Sequence, residues 1–241
     1  MSERFYTSDS LEESTVYLTG PEAHHLLHVL RMKVGQMVCL FDGRGTEATA
    51  EITACSKSGV QLQVRGSRTT SERLSTPLIL ATAVPKGDRF RSLIEKATEL
   101  EVTRLVPLKT QRSVVHPGTG KLEKLRQTVI AACKQSGRNR LMQIDPVIVW
   151  DEFVMREFSG CHVLVAHRGG EPVSSALPAT ASDQVTVVAI GPEGGFTPEE
   201  IVRATAAGGR LLDLGPNVLR IETAAIAMAA ACRLIDSIRD A

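Results

Sequence analysis

The sequence predicts a mixed α/β protein in which a small β-rich N-terminal domain precedes a larger domain with a mostly parallel sheet. Early in the chain, short runs of alternating apolar residues are separated by the turn signals DGRG and KSG, the pattern of a small antiparallel barrel or sheet. After the polar stretch GSRTTSERLSTP, continuous apolar strands alternate with helical segments, which favours a parallel sheet with helices on both faces. We place the boundary in this stretch, giving domains of residues 1–72 and 73–241.

Apolar periodicity locates the elements of both domains. The N-terminal strands are expected at 37–41, 48–55 and 60–64, and one helical stretch, PEAHHLLHVLRM, interrupts the β-rich part. In the second domain, strands are expected at 78–84, 104–108, 147–150, 162–166, 185–190 and 211–214. Two amphipathic helices lie between them, one with Phe90, Leu93, Ile94, Ala97 and Leu100 on its apolar face, the other with Leu122, Leu125, Val129 and Cys133.

Composition and cysteine usage limit the class of protein. With 241 residues, 43% hydrophobic and 23% charged, the chain is typical of an ordinary globular protein. Its longest uncharged apolar run, Ala224–Cys232, is far shorter than the roughly 20 residues that span a bilayer, and no apolar leader follows a basic start. The five cysteines are scattered and form no CxxC pair, which predicts neither disulfides nor a zinc site. We therefore expect a cytoplasmic protein without a bound metal.

Positive charge is concentrated in one part of the chain, although the net charge is only +1. Residues 86–140 hold 13 Lys and Arg against 5 Asp and Glu. Such a surplus predicts a surface for a polyanion. The alternative is a set of solvated helix faces that point in different directions, and the sequence leaves both open.

The segment VTVVAIGPEGGFTPEE, at 185–200, predicts a strand, a glycine turn and a helix. Thr197 suits the N-cap, Pro198 suits the first helical position, and Glu200 completes a T-x-x-E capping box. The turn therefore lies at the carboxyl end of a parallel strand, where open α/β sheets bind ligands. Its spacing matches neither a dinucleotide fingerprint nor a P-loop. A tight connection that needs positive φ is the alternative interpretation.

A second loop of the same kind follows at 211–228, LLDLGPNVLRIETAAIAM, where a strand, a Gly-Pro turn and an apolar helix are expected. Arg220 and Glu222 stand in a segment that is otherwise suited to burial. Because charges are costly to bury unless they are paired or used, these two residues either act in a site or form a structural Arg–Glu pair.

Together, IGPEGGFTPEE and LGPNVLRIETA closely resemble the two signature loops of the RsmE family, the 16S ribosomal RNA uracil-N3 methyltransferases of the SPOUT superfamily. Further blocks similar to that family follow in family order: RFY near the start, HHLLHVLRMKVGQMVCLFDGRG, PKGDRFRSLIEKATELEV and KQSGRNR. Because these separate blocks cover essentially the whole chain, the match is much more specific than a single glycine loop.

The resemblance implies an N-terminal PUA-like barrel and a SPOUT-type α/β domain whose C-terminal chain is threaded into a trefoil knot. Knots are exceptions to the usual connection rules, so periodicity does not predict one. The knotted loops of the family hold a bent S-adenosylmethionine, and a homodimer completes each active site. On this sequence the matching cofactor-binding residues are Ile190, Gly191, Pro192, Gly194, Gly195, Leu214, Gly215, Val218 and Leu219.

The chemistry implied by the family needs a proton acceptor rather than a metal. A sulfonium methyl group is already electrophilic, whereas uracil N3 carries a proton and is a poor nucleophile until that proton leaves. The site must therefore offer a base, or a cation that stabilises the anionic uracil, held in line with the methyl group. We predict Arg220 as the cation and Glu222 or Glu193 as the base, with no ranking of the two carboxylates. Arg220 alternatively serves only to fix the loop through Glu222.

The substrate implied by the resemblance is 16S ribosomal RNA, either free or within the small ribosomal subunit. Basic residues of the family-like blocks are predicted to contact phosphates or to stack on bases: Arg4, His24, Arg31, Lys86, Arg89, Arg112 and Arg138. His24 and His28 stand at i, i+4 without the rest of a metal-ligand set, so we expect partly buried histidines on a helix. Phe5 and Tyr6 are expected in the core of the barrel.

The sequence departs from the family pattern at two places. Glu101 stands where family members commonly have a glycine that ends a helix, and Lys134 replaces a commoner glutamate beside Gln135. These changes put the details of RNA contact in doubt and leave both cofactor loops intact.

Three other functions stay open on the residues alone: an RNA-binding module with a decayed α/β domain, a methyltransferase with another RNA specificity, and a small-molecule enzyme that binds a nucleotide at the sheet. The intact charged loops disfavour the first, and the charge surplus disfavours the third. Only the resemblance opposes the second. Steep salt dependence of binding distinguishes a polyanion from a small neutral ligand.

Overall fold

The computed structural model describes residues 3–69, 76–115, 119–176 and 184–239. The chain divides into two compact units, Met1–Arg73 with Cys133–Leu141, and Leu74–Ala132 with Met142–Ala241. The predicted domain boundary, at residues 72 and 73, lies outside the described residues, so its position stays a prediction. Sequence pattern alone does not indicate that Cys133–Leu141 belongs with the N-terminal part.

The first unit is built on a mixed sheet. Its described strands are β1 (Arg4–Tyr6), β2 (Thr15–Leu18), β3 (Met37–Phe41), β4 (Thr46–Cys55) and β5 (Val60–Thr69), in the order β1-β3-β4-β5-β2. The β3–β4 and β4–β5 pairs are antiparallel, as predicted. Strand β2, which the sequence pattern did not predict, pairs with β5 in antiparallel, and β1 pairs with β3 in parallel. Phe5 is fully buried in the apolar core of this unit, which confirms its prediction. Tyr6 is only half-buried, because alternate residues of a strand point to opposite faces.

One short helix, α1 (Gly20–His24), continues into a π-helical turn at His25–Val29. Leu26 of this turn is buried, whereas His24 and His28 are exposed with ring centroids 4.9 Å apart. The prediction that these histidines are partly buried is therefore wrong. The physical reason is that residues four apart share one face of a helix, and here Leu26 rather than the histidines is on the buried face.

The second unit contains a sheet in which every pair is parallel, as predicted. Its described strands are β6 (Leu78–Ala83), β7 (Arg104–Lys109), β8 (Gln143–Ile144), β9 (Ile148–Val149), β10 (His162–Pro172), β11 (Thr186–Ile190) and β12 (Arg210–Asp213). The order is β12-β10-β11-β6-β7-β8, and β9 also pairs with β7. The strand expected at 147–150 is shorter because Trp150 begins a helix. The trefoil threading stays a prediction.

Helices cover both faces of this sheet, as expected. The described helices beyond α1 are α2 (Arg89–Glu99), α3 (Thr119–Ser136), α4 (Trp150–Glu157), α5 (Val173–Ala176), α6 (Pro198–Ala206) and α7 (Ile221–Arg239). On β6, Ile79 and Ala81 share a core with Trp150 of α4, while the alternate residues Leu78 and Leu80 are also buried. Helix α7 packs against α2, β6 and β11.

The two departures from the family pattern have partners in the structure. Glu101, just after α2, has a φ of 57°, a conformation that favours glycine. Its carbonyl accepts a hydrogen bond from Nη2 of Arg233 at 2.6 Å. In the first unit, Lys134 donates to Glu22 at 2.9 Å and lies 4.9 Å from the centroid of the Phe5 ring. The positive charge of Lys134 is therefore balanced within its own unit.

Candidate active site

A cavity of about 310 Å³ lies at the carboxyl ends of β11 and β12. All nine predicted cofactor-binding residues line it: Ile190, Gly191, Pro192, Gly194, Gly195, Leu214, Gly215, Val218 and Leu219. Glu193 lines it as well. Two loops that are separate in sequence form one concave surface because β11 and β12 flank the same strand, β10.

The first loop, 191–197, adopts a conformation that requires its glycines. Gly195 has a φ of 69°, and its N–H donates to the Pro192 carbonyl at 2.8 Å. A Cβ atom on Gly191 would lie 3.0 Å from the ring of Phe196. A side chain at position 191 would therefore crowd the ring of Phe196, whereas glycine lets the backbone of the loop line the cavity.

Buried partners hold the end of this loop. The ring centroid of Phe196 lies 4.4 Å from that of Trp150. Thr197 caps α6 and its N–H donates to Oε2 of Glu200 at 2.8 Å, which confirms the predicted capping box. Oε1 of Glu200 accepts the Gln111 N–H at 2.8 Å. One buried carboxylate thus joins α6 to the loop that follows β7.

Arg112, which was predicted to contact RNA, interacts with the first loop. Its Nη1 donates to the Gly194 carbonyl at 2.6 Å and to the Phe196 carbonyl at 3.5 Å. The side chain also lines the cavity. Arg112 therefore connects the β7 loop to the predicted cofactor loop.

Asp213 organises the second loop. Its carboxylate accepts the Gly169 N–H at 2.8 Å and the Gly215 N–H at 2.9 Å. These two backbone hydrogen bonds lower the pKa of Asp213 from its ordinary value, and the hydrogen bond from Gly169 has the larger effect. Gly215 has a φ of 111°, so the turn depends on glycine at this position.

The two predicted catalytic carboxylates share one cation, Arg89. Nη1 of Arg89 lies 3.8 Å from Oε1 of Glu193 and 3.7 Å from Oε1 of Glu222. The Glu222 side chain is 15% exposed and that of Glu193 is 46% exposed. Oε2 of Glu222 is buried and has no hydrogen-bond partner among the described residues. The site therefore brings together Glu193 and Glu222 with Arg89, a residue predicted only as an RNA contact.

Arg220 lies outside this cluster. Its side chain is exposed, and it does not line the cavity. Within the described part of the chain, the ion-pair partner of Glu222 is Arg89 and not Arg220. The alternative of a structural Arg220–Glu222 pair is therefore wrong, whereas the role of Arg220 as a catalytic cation stays a prediction.

Sequence reasoning missed a third segment of the cavity, which lies within β10. His167 and Arg168, where the pairing of β10 with β12 shifts register between Ala166 and Glu171, line the cavity together with Asn217 and Asp213. Nδ1 of His167 is buried and lacks a hydrogen-bond partner among the residues that the structure describes. In the sequence, HRGG follows a predicted strand and so repeats the strand-and-glycine pattern of the other two loops. This pattern is the signal from which the segment could have been predicted.

The other predicted RNA contacts are distributed over both units. His24, Arg31 and Lys86 are exposed, whereas Arg4 and Arg138 are half-buried. Arg4 donates to Glu47 at 3.1 Å and to the side chain of Asn139. Arg4 is thus already engaged inside the first unit.

Part of the positive surplus of residues 86–140 is balanced by acidic residues from elsewhere in the chain. Among the described residues, Arg89 pairs with Glu193 and Glu222, Arg104 with Asp145 and Glu157, and Lys134 with Glu22, and all of these carboxylates lie outside the segment. The linear count therefore overstates the charge that the segment presents to a polyanion.

The described residues include neither a membrane-spanning helix nor a metal-binding group. None of their helices is long and apolar enough to cross a membrane. They also contain no group of three or more His, Cys, Asp or Glu side chains that could hold a metal ion.

Burial raises the pKa of the Cys133 thiol to about 11, so this cysteine is protonated at neutral pH.

Comparison with known sequences identifies relatives over nearly the whole chain. A family profile described as an RNA methyltransferase domain matches residues 72–233, and one described as an RNA methyltransferase PUA domain matches residues 18–65. The ribosomal RNA small subunit methyltransferase E of Bacillus subtilis strain 168 is 32% identical over 229 residues, which cover 90% of each chain. That of Synechocystis is 33% identical over 236 residues, covering 95% of this chain and 76% of the relative.

Solved structures agree with these matches. The ribosomal RNA small subunit methyltransferase E of Neisseria gonorrhoeae bound to S-adenosyl methionine has a TM-score of 0.87 and 30% identity, with 98% of each chain covered. A methyltransferase of Legionella pneumophila in complex with the bound cofactor SAM has a TM-score of 0.87 and 29% identity, covering 97% of this chain and 98% of its own. The chain therefore belongs to the RNA methyltransferase family, among the ribosomal RNA small subunit methyltransferases E, and carries the small N-terminal PUA-like domain of that family.

Proposed function

We propose that the chain is an S-adenosylmethionine-dependent enzyme that methylates N3 of one uridine in the 16S ribosomal RNA of the small subunit. The main observation in its support is the cavity between the two glycine loops. Glu193 and Ile221 line this cavity, and Glu222, the residue after Ile221, shares Arg89 with Glu193. The names of the relatives support the substrate class, and the two cofactor-bound structures support the methyl donor.

The residues of the cavity fit S-adenosylmethionine. Glycine turns expose backbone N–H and C=O groups, which can bind the polar edge of a flat adenine without interference from side chains. Leu214 and Leu219 offer apolar walls, and Glu193 offers negative charge near a cationic sulfonium. The buried Nδ1 of His167, which lacks a partner among the described residues, offers one more hydrogen-bonding group.

The carboxylates take different roles in this proposal. Bound S-adenosylmethionine supplies a methyl group on a cationic sulfur, and transfer to N3 leaves a neutral thioether while the N3 proton passes to a base. Glu222 is the proposed base because no hydrogen bond from a described residue occupies its buried Oε2. The more exposed Glu193 passes the proton to solvent, and Arg220 stabilises the anionic uracil.

Several properties are proposed on the resemblance to the family. They are a trefoil threading of the C-terminal chain, a homodimer, a cytoplasmic location, and domains of residues 1–72 and 73–241. The exposed residues His24, Arg31 and Lys86 are the proposed phosphate contacts. Free RNA and the assembled small subunit are both candidate substrates.

Labelled S-adenosylmethionine tests the proposed function directly. The protein is incubated with small ribosomal subunits, and separately with naked small-subunit RNA, both lacking the modification. We expect label at N3 of a single uridine, which nucleotide mapping identifies. Label on a ribose hydroxyl or on another base excludes the proposed specificity, and the absence of label on either substrate excludes the proposed reaction.

We expect Arg112→Ala to weaken S-adenosylmethionine binding about fivefold, because a charge-assisted hydrogen bond to the Gly194 carbonyl is lost from an exposed position. Calorimetric titration measures this change. Lys109→Ala, which removes an exposed cation at the end of β7, serves as the control. Unchanged cofactor affinity combined with weaker RNA binding favours the original prediction that Arg112 contacts RNA.

The pH dependence of stability should reveal the hydrogen bonds of Asp213. The pKa of Asp213 is lower in the folded state than the ordinary value of 3.8. The ionised carboxylate therefore stabilises the fold fully at pH values above 3.8, and this contribution is lost as the pH falls through the lower pKa of the folded state. The difference in melting temperature between wild type and Asp213→Asn is therefore expected to be constant near neutral pH and to shrink below 3.8. Thermal unfolding over this range checks it, and a difference that grows on acidification contradicts it.

A further inference from the structure

We propose that Arg89 is a positioning residue that holds the catalytic carboxylates Glu222 and Glu193 beside the cofactor cavity, rather than a residue that binds RNA phosphate. The inference rests on the proposed function, because it assigns a task to a residue of the same site. It concerns three side chains that come from separate elements: the start of α2, the loop after β11 and the first turn of α7.

The geometry fixes the guanidinium of Arg89 between its partners. Its Nε donates to the Lys86 carbonyl at 3.2 Å, so the plane of the group is set by the chain just before α2. The same Nη1 then lies 3.8 Å from Glu193 and 3.7 Å from Glu222. Nε is thus hydrogen-bonded to the backbone, while Nη1 lies within ion-pair distance of both carboxylates without a hydrogen bond to either. A guanidinium can make these contacts from separate nitrogen atoms, whereas lysine has a single ammonium group.

Charge explains why the two carboxylates need this cation. Two nearby carboxylates repel each other, and a cation within ion-pair distance of both offsets that repulsion. Nη1 of Arg89 is 3.8 Å from Oε1 of Glu193 and 3.7 Å from Oε1 of Glu222. Arg89 therefore interacts with Oε1 of Glu222, and the buried Oε2 has no partner among the described residues.

The same charges disfavour a phosphate at Arg89. A phosphate that approached this guanidinium would also meet the two carboxylates that already balance its charge. Lys86, three residues earlier, is exposed and lies just before α2, and it is a better candidate for a phosphate contact.

The test compares Arg89→Gln and Arg89→Lys with Arg91→Gln. Arg91 is a matched control, because it stands on the same helix, pairs with Glu95 at 3.3 Å and is 66% exposed. Single-turnover methyl transfer at saturating RNA and cofactor gives the rate, and RNA titrations at several salt concentrations give the affinity and its salt slope. Calorimetry gives the affinity for S-adenosylmethionine, and thermal unfolding shows which variants fold.

We expect Arg89→Gln to lower the single-turnover rate about 30-fold, with unchanged RNA affinity and salt slope. Arg89→Lys should recover part of the rate, and Arg91→Gln should match wild type. If Arg89→Gln does not fold, Arg89→Lys carries the test, with a smaller loss of rate and the same unchanged RNA binding. Because Arg89 acts through Glu222, adding Arg89→Gln to Glu222→Gln should cost little further rate.

If the wild-type protein methylates RNA, any one of three results would overturn the proposal. The first is a loss of RNA affinity in Arg89→Gln with a salt slope reduced by about one, at an unchanged saturated rate, which identifies a phosphate contact. The second is full additivity of Arg89→Gln with Glu222→Gln. The third is a saturated rate equal to wild type for both Arg89 variants. A wild-type protein that labels no RNA instead overturns the proposed function, and this inference with it.

Discussion

Glu222→Gln is expected to lower the single-turnover rate of methyl transfer by about a hundredfold at saturating RNA and cofactor. The substitution keeps the shape of the side chain but removes its ability to accept the proton of uracil N3. Neither oxygen of Glu222 accepts a hydrogen bond from a described backbone group, so loss of the charge should leave the cofactor loops in place. Rapid-quench measurement of labelled RNA, with calorimetric titration of S-adenosylmethionine, separates the rate from binding.

Glu193→Gln is the matched comparison for this prediction. Glu193 shares Arg89 with Glu222 but is the more exposed of the two, so we expect its loss to lower the rate by less than tenfold. A larger effect of Glu193→Gln than of Glu222→Gln reverses the assignment of the base. Equal rates for wild type and Glu222→Gln exclude a carboxylate base at this position and favour stabilisation of the anion by Arg220 instead.

The cavity between the two glycine loops could be predicted from sequence because its signals are local. Glycine and proline at 191–195 mark a turn after a strand, and Thr197 with Glu200 marks the start of the next helix within four residues. Such features need no knowledge of distant parts of the chain. The resemblance to a family then identified which local features belong to one site.

The partners of the long basic side chains could not be predicted in this way. Arg89 and Arg112 look alike in sequence, and both were predicted to contact RNA. Their partners, Glu222 and the Gly194 carbonyl, are far away along the chain and come close only because the parallel sheet brings the ends of its strands to one edge. Whether an arginine meets a phosphate, a carboxylate or a carbonyl is therefore decided by tertiary structure rather than by local pattern.

Glu200→Gln is expected to destabilise the C-terminal unit by about 3 kcal/mol. Glu200 is only 1% exposed, and its two oxygens accept the N–H groups of Thr197 and Gln111, both at 2.8 Å. Glutamine has one oxygen and one amide nitrogen, so one backbone N–H would face another donor inside the protein. Urea denaturation monitored by the fluorescence of Trp150, whose Nε1 donates to the Glu200 carbonyl at 3.1 Å, measures the change.

Glu199→Gln is the control that separates burial from loss of charge at the start of α6. Glu199 is the neighbouring residue and is exposed, so its substitution should shift the urea midpoint far less than Glu200→Gln. Because Gln111 precedes Arg112, Glu200→Gln should also weaken S-adenosylmethionine binding, and Glu199→Gln should not. A similar midpoint shift for both variants means that the charge near the helix start, rather than the two buried hydrogen bonds, stabilises this part of the site.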